Sequence, residues 1–141
     1  MTGTKYDKYF TTEVVKDDPE GKPPHITSTR HLQDWGGEHL SIDCIYITQP
    51  HLMITQPHKH EFAQYLSFFS ANPKDAGELD AEIEISLGEE QEKHIVKSPT
   101  SVYVPAGLYH GPLNFLKINK PVLFLDIAVT GKYSRVGNTP D

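Results

Sequence analysis

Hydrophobic and polar positions alternate most cleanly in "ELDAEIEISL", residues 78–87. Leu79, Ala81, Ile83, Ile85 and Leu87 fall on one side of a period-two pattern, with Asp80, Glu82, Glu84 and Ser86 on the other. That pattern predicts a β-strand with one wet face. "HLSIDCIYIT" (39–48), rich in Ile and Tyr, predicts a second strand. "LGEEQ" supplies a turn, "KHIV" a returning strand, and "TSVYVP" a short strand that stops at its proline. "KPVLFLDIAVTG" (120–131) is apolar at both parities, as in a strand buried on both faces. No long amphipathic helix is visible. Many short strands at regular intervals predict an all-β sandwich or barrel.

These signals divide the chain. Residues 1–37 are polar and irregular, with "DDPEGKPPH" as a turn-rich patch and "WGG" as a break. This zone is expected to form an arm that packs on the barrel or on a partner subunit. Residues 38–130 hold nearly all the strand signals, and 131–141, "GKYSRVGNTPD", read as a loose tail. A length of 141 residues fits one domain with a core of its own.

Composition narrows the function. The net charge is −6, and only two arginines occur, Arg30 and Arg135. Nucleic acid and anionic membranes call for clustered Lys and Arg, so neither is an expected partner. The one cysteine, Cys44, rules out an internal disulfide and a cysteine-based zinc site. "MTGTKYDKYF" lacks the apolar run of a signal peptide, and no stretch has the length of a membrane span. A cytoplasmic protein is the expectation. A barrel of this size leaves strand edges that must be covered, which predicts a homodimer.

Candidate chemistry starts in "TQPHKHEFAQYLSFF" (55–69). If 58–69 is a strand, then His58, His60, Phe62 and Gln64 share one face and Glu61 points away. Two imidazoles and a carboxamide so placed can converge on a metal ion. Taken alone, His-x-His is a weak signal. A second stretch, "VYVPAGLYHGPLNF" (102–115), carries Pro105, Gly107, His110 and Asn114. Its proline and glycine predict a tight turn that launches the next strand with His110 near the start.

Together, His-x-His-x-x-x-Gln and Pro-x-Gly-x-x-His-x-x-x-Asn resemble the two signature motifs of the cupin superfamily. The resemblance covers roughly residues 38–130. It implies a double-stranded β-helix, a small jelly-roll-like barrel, with His58, His60, Gln64 and His110 around one divalent metal ion (Fe, Mn, Zn, Ni or Cu). Gln64 stands where the first motif most often has Glu. Leu52, Ala71, Pro99 and Thr100 replace residues usual in the motifs' turns, glycine at Leu52, Ala71 and Pro99. An alternative role for Gln64 is to hydrogen-bond a ligand histidine from outside the coordination sphere.

With three neutral imidazoles and a neutral amide, the ion's charge would stay uncompensated, which favours an anionic small-molecule ligand. The reading is a metal-dependent enzyme acting on an anionic or enolisable oxygen substrate, either dioxygenase-like or an isomerase, lyase or decarboxylase. The alternative is a non-catalytic small-ligand-binding or sensor protein. No catalytic acid or base stands out. His25, His31, His39, His51 and His94 read as surface residues, and Asn114 as a loop tie. The long turn "SANPKDAGEL" (70–79) is expected at the barrel mouth, gating the metal.

Overall fold

A computed structural model describes residues 4–12, 15–16, 25–27 and 40–129. The expected tail 131–141 and most of the arm 1–37 lie outside the described residues. Described strands run in the order β1 (Val15–Lys16), β2 (His25–Thr27), β3 (Ser41–Ile47), β4 (His51–Ile54), β5 (Gln64–Ser70), β6 (Ala81–Leu87), β7 (Glu92–Val96), β8 (Thr100–Val104), β9 (His110–Ile118) and β10 (Val122–Ala128). They form two antiparallel sheets, β1-β2-β3-β10-β5-β8 and β4-β9-β6-β7. Among the described residues there is no α-helix, and no helix long and apolar enough to cross a membrane. The architecture is the all-β double-stranded β-helix.

The core lies between the sheets. Phe68 of β5 and Phe124 of β10 stack at 5.1 Å, and Phe115 of β9 meets Phe124 edge-on at 5.7 Å. Ile47, Ile83, Ile85, Leu66 and Leu113 close around them, all buried. Each such side chain stabilises the fold by about 1.5–3 kcal/mol relative to exposure.

Four expectations need correction. His58–Ala63 is not strand; β5 begins at Gln64, and His58 makes only an isolated bridge to His110. The expected parity survives in the burial: His58, His60, Phe62 and Gln64 are buried and Glu61 is exposed. β10 is not buried on both faces; Val122, Phe124 and Ala128 are, whereas Leu123, Leu125 and Ile127 on the other side are only partly covered. Ser86 is buried although its parity is polar, because the β6–β9 register shifts between Ile85 and Leu87. β1 and β2 lie in the zone read as irregular; two and three residues are too short to show a period, and β2 forms by pairing with the edge of β3.

The long turn is also misplaced by the expectation. β5 leads away from Gln64 toward Ser70, six residues on, which is about 20 Å at ~3.3 Å per residue. There the loop ties to the β9–β10 turn. The Ala71 N–H donates to the Pro121 carbonyl (3.1 Å), Asn119 donates to Asp80 (2.9 Å), and Lys120 pairs with Asp75 (3.1 Å). It closes the end of the barrel opposite the histidines and is no gate.

Candidate metal centre

Three short segments meet at the other end. The Pro105–Leu108 turn closes with the Leu108 N–H on the Pro105 carbonyl, and Gly107, at φ +85°, donates its N–H to the His60 carbonyl (2.9 Å). His110 opens β9. Its N–H donates to the His58 carbonyl (2.8 Å), and the His58 N–H donates back to the His110 carbonyl (3.0 Å). Those paired bonds fix the two Cβ atoms side by side. Gly111 seats this bridge against the end of β4: at φ +101°, a Cβ there would stand 2.7 Å from Ile54 Cγ2.

His58, His60 and His110 come together. Their ring centroids are separated by 4.8 Å (58–60), 4.3 Å (58–110) and 5.3 Å (60–110). One ring nitrogen from each lies within 4.8 Å of the others, and such a set could hold a metal ion. Two donors on one ion at ~2.1 Å each can be no more than about 4.2 Å apart, so small ring rotations would close the set. All three are at most 2 % exposed. The His110 Nδ1 lies 3.3 Å from the Leu108 carbonyl. With the proton on Nδ1, Nε2 becomes the lone-pair nitrogen, the tautomer a metal ligand needs. Phe62 stacks on His60 at 4.6 Å and 14°.

Gln64, 1 % exposed, lines the same cavity as His58 and His110. Its Nε2 donates to Asp126 Oδ1 at 2.9 Å. A carboxylate only accepts, so the amide nitrogen is fixed on that side. Oε1 is buried and, among the described residues, accepts no hydrogen bond. An unmet buried acceptor costs about 1–3 kcal/mol. Three clustered, buried imidazoles, two of them (His58 and His110) lining one cavity with Gln64 and its orphaned oxygen, fit a divalent cation. The cavity measures about 150 Å³ and is otherwise lined by Met53, Ile54, Leu66, Phe124 and Asp126.

Asp126 is the residue that sequence reasoning missed. It is the one acidic residue inside the apolar run of β10, at the parity of Val122 and Phe124, and that parity was the available signal. Across the ladder it faces Asp43 of β3, which is buried. Partial burial, with the Asp43 carboxylate next in the chain, holds the Cys44 thiol above its ordinary pKa.

The remaining candidates stay outside the cavity. Glu61 is exposed. His94 is half exposed and lies 2.6 Å from Glu92. His51 opens β4 opposite Phe115. Tyr65 and Tyr103, both exposed, meet in a tilted contact at 5.2 Å and 40°, and Lys59 sits over the Tyr109 ring at 5.0 Å. Asn114 is no loop tie; it lies within β9, between Leu52 and Glu84. His31 and His39 lie outside the described residues, as does the side chain of His25.

No protein-family model and no curated protein matches the chain. Solved structures match it by shape. Recombinant oxalate oxidase in complex with glycolate gives a TM-score of 0.58 at 14% identity, over 96% of this chain and 65% of that one. The polyketide cyclase RemF from Streptomyces resistomycificus gives 0.55 at 13% identity, over 90% of this chain and 82% of that one. Oxalate decarboxylase from Bacillus subtilis, characterised through its Mn(II) centres, gives 0.53 at 16% identity over 89% of this chain. The chain spans 30% of that enzyme's length. These are cupin-fold proteins, and the fold of this chain is the cupin fold.

Proposed function

We propose that this protein is a metal-dependent small-molecule enzyme, in which His58, His60, His110 and Oε1 of Gln64 hold one divalent ion. The observation that carries the proposal is the orphaned Oε1 beside three buried imidazoles. The ion would supply Lewis acidity toward a substrate oxygen and, if it is Mn, Fe, Ni or Cu, redox chemistry with dioxygen. The chain's own residues bind and shield. Met53, Ile54, Leu66 and Phe124 keep the cavity apolar, and Phe62 backs His60.

A cavity of 150 Å³ has room for about five waters at ~30 Å³ each, so the substrate is small. Oxalate and glycolate accompany the structural neighbours, which makes small hydroxy- and dicarboxylic acids the class to test. The proposal keeps the homodimer, since β7 and β8 each end a sheet among the described residues; sedimentation of purified protein reads this directly.

The test is elemental analysis of freshly purified protein, followed by incubation with oxalate, glycolate and a β-dicarbonyl while dioxygen and products are monitored. One equivalent of a divalent ion and turnover of one of these acids support the proposal. A protein that takes up no divalent ion overturns it. An ion-loaded protein that binds a small acid and never converts it turns the assignment to a non-catalytic binding protein.

A further inference from the structure

We infer that Asp126 is the positioning residue of this centre, and that it carries the negative charge which position 64 lacks. The inference rests on the metal reading above and adds a residue and an electrostatic arrangement to it. Leu66, not Gln64, pairs directly with Asp126 across β5 and β10, and Gln64 pairs with Ala128. Gln64 and Asp126 are therefore diagonal neighbours on the inner face, within side-chain reach. The 2.9 Å bond from Nε2 to Oδ1 decides which way the carboxamide faces. An amide can otherwise rotate by half a turn and present N–H groups, which would repel a cation. Asp126 removes that choice and leaves Oε1 as the atom turned away from it.

The same bond explains why position 64 holds Gln. A glutamate there would set a buried carboxylate against the partly buried one of Asp126 at hydrogen-bond distance, in place of a donor and an acceptor. The barrel keeps one carboxylate, but one bond further out. It acts on the ion through the amide, which its charge polarises. Asp43, the ladder partner of Asp126 on β3, is buried but does not line the cavity, so Asp126 is the carboxylate that bears on the site. The ion's charge is therefore partly compensated, and the attraction for an anionic ligand is weaker than the four neutral ligands alone imply.

The test compares wild type with Asp126→Asn, Asp126→Leu and the exchange Gln64→Glu/Asp126→Asn. Mn(II) affinity is read by competition with a chromophoric chelator, and folding by circular dichroism. Loss of such a supporting partner typically weakens metal affinity about 10–100-fold, and Asp126→Leu is expected in that range. Asp126→Asn still accepts from Nε2 and is expected between Asp126→Leu and wild type. The exchange restores one charge and one hydrogen bond with donor and acceptor reversed, and is expected to bring the affinity back to wild type or tighter. A purely structural Asp126 would change unfolding and leave Mn(II) affinity at the wild-type level in both folded single variants. Wild-type affinity in folded Asp126→Asn and Asp126→Leu overturns the inference and leaves the metal site standing. So does an exchange variant no tighter than Asp126→Asn. Wild type that binds no Mn(II), Zn(II) or Co(II) overturns the metal reading itself, and this inference with it.

Discussion

Gly111 ties the two histidine segments together, and Gly111→Ala measures how tightly. Its φ of +101° is a region that L side chains rarely adopt, which costs alanine about 1–3 kcal/mol. The new Cβ would stand 2.7 Å from Ile54 Cγ2 and 3.0 Å from the Gln56 carbonyl oxygen, and relieving such overpacking costs about 1–3 kcal/mol more. The sum, about 2–6 kcal/mol, is a large part of the ~5–15 kcal/mol that holds a domain folded. For a chain of this size, about 3–4 °C per kcal/mol gives a fall in Tm of roughly 6–24 °C. Gly107→Ala is the control: its φ is +85°, but no atom lies within 4 Å of the added Cβ. It should show only the backbone cost. Thermal unfolding followed by circular dichroism in chelator reads both. Gln56 sits two residues before His58, and Gly111 follows His110. Relief of the clash therefore displaces both histidine segments, and the Tm gained on adding Mn(II) should be smaller in Gly111→Ala than in Gly107→Ala. Equal destabilisation by the two substitutions would refute the idea that Gly111 is a seat for β4.

Gln64→Glu alone should lower the Tm of the metal-stripped protein, by roughly 1–3 kcal/mol of stability, and Mn(II) should recover much of the loss; an unchanged Tm in chelator would mean that position 64 does not face Asp126. Asp126→Asn loaded with Mn(II) should bind oxalate more tightly than wild type by calorimetry, because one negative charge near the ion is gone; equal affinity would show that Asp126 does not offset the ion. The raised pKa of Cys44 means that less thiolate is present in the folded protein at pH 8 than in an ordinary thiol, so iodoacetamide should react more slowly before unfolding than after it. The sign for stability follows. A raised thiol pKa contributes stability below the ordinary thiol range, and that contribution is lost as pH rises through the folded value, so unfolding should become easier above pH ~9 and Cys44→Ser should remove this part of the pH dependence. Asn119→Ala cuts the bond to Asp80 at the far end of the barrel; it should lower Tm and leave Mn(II) affinity unchanged, and a loss of metal affinity would contradict the placement of the 70–79 loop.

The period-two pattern of residues 78–87 and the apolar run of 120–131 determined the all-β class, because alternation of side chains follows from backbone geometry alone. The motif spacing determined which histidines to watch, since parity is a local property and survives even where 58–63 turns out not to be strand. Placing loop 70–79 required the tertiary structure. A loop's end of the barrel depends on strand direction, and β5 runs away from the histidines. Asp126 was in plain view at the inner parity of β10, but its meaning depended on a partner 62 residues earlier in the chain. No local pattern carries that distance. The same holds for the charge at position 64. Composition gives Gln64 as neutral, and only the packing of β5 against β10 brings a carboxylate to its amide nitrogen and leaves the amide oxygen as the atom without a partner.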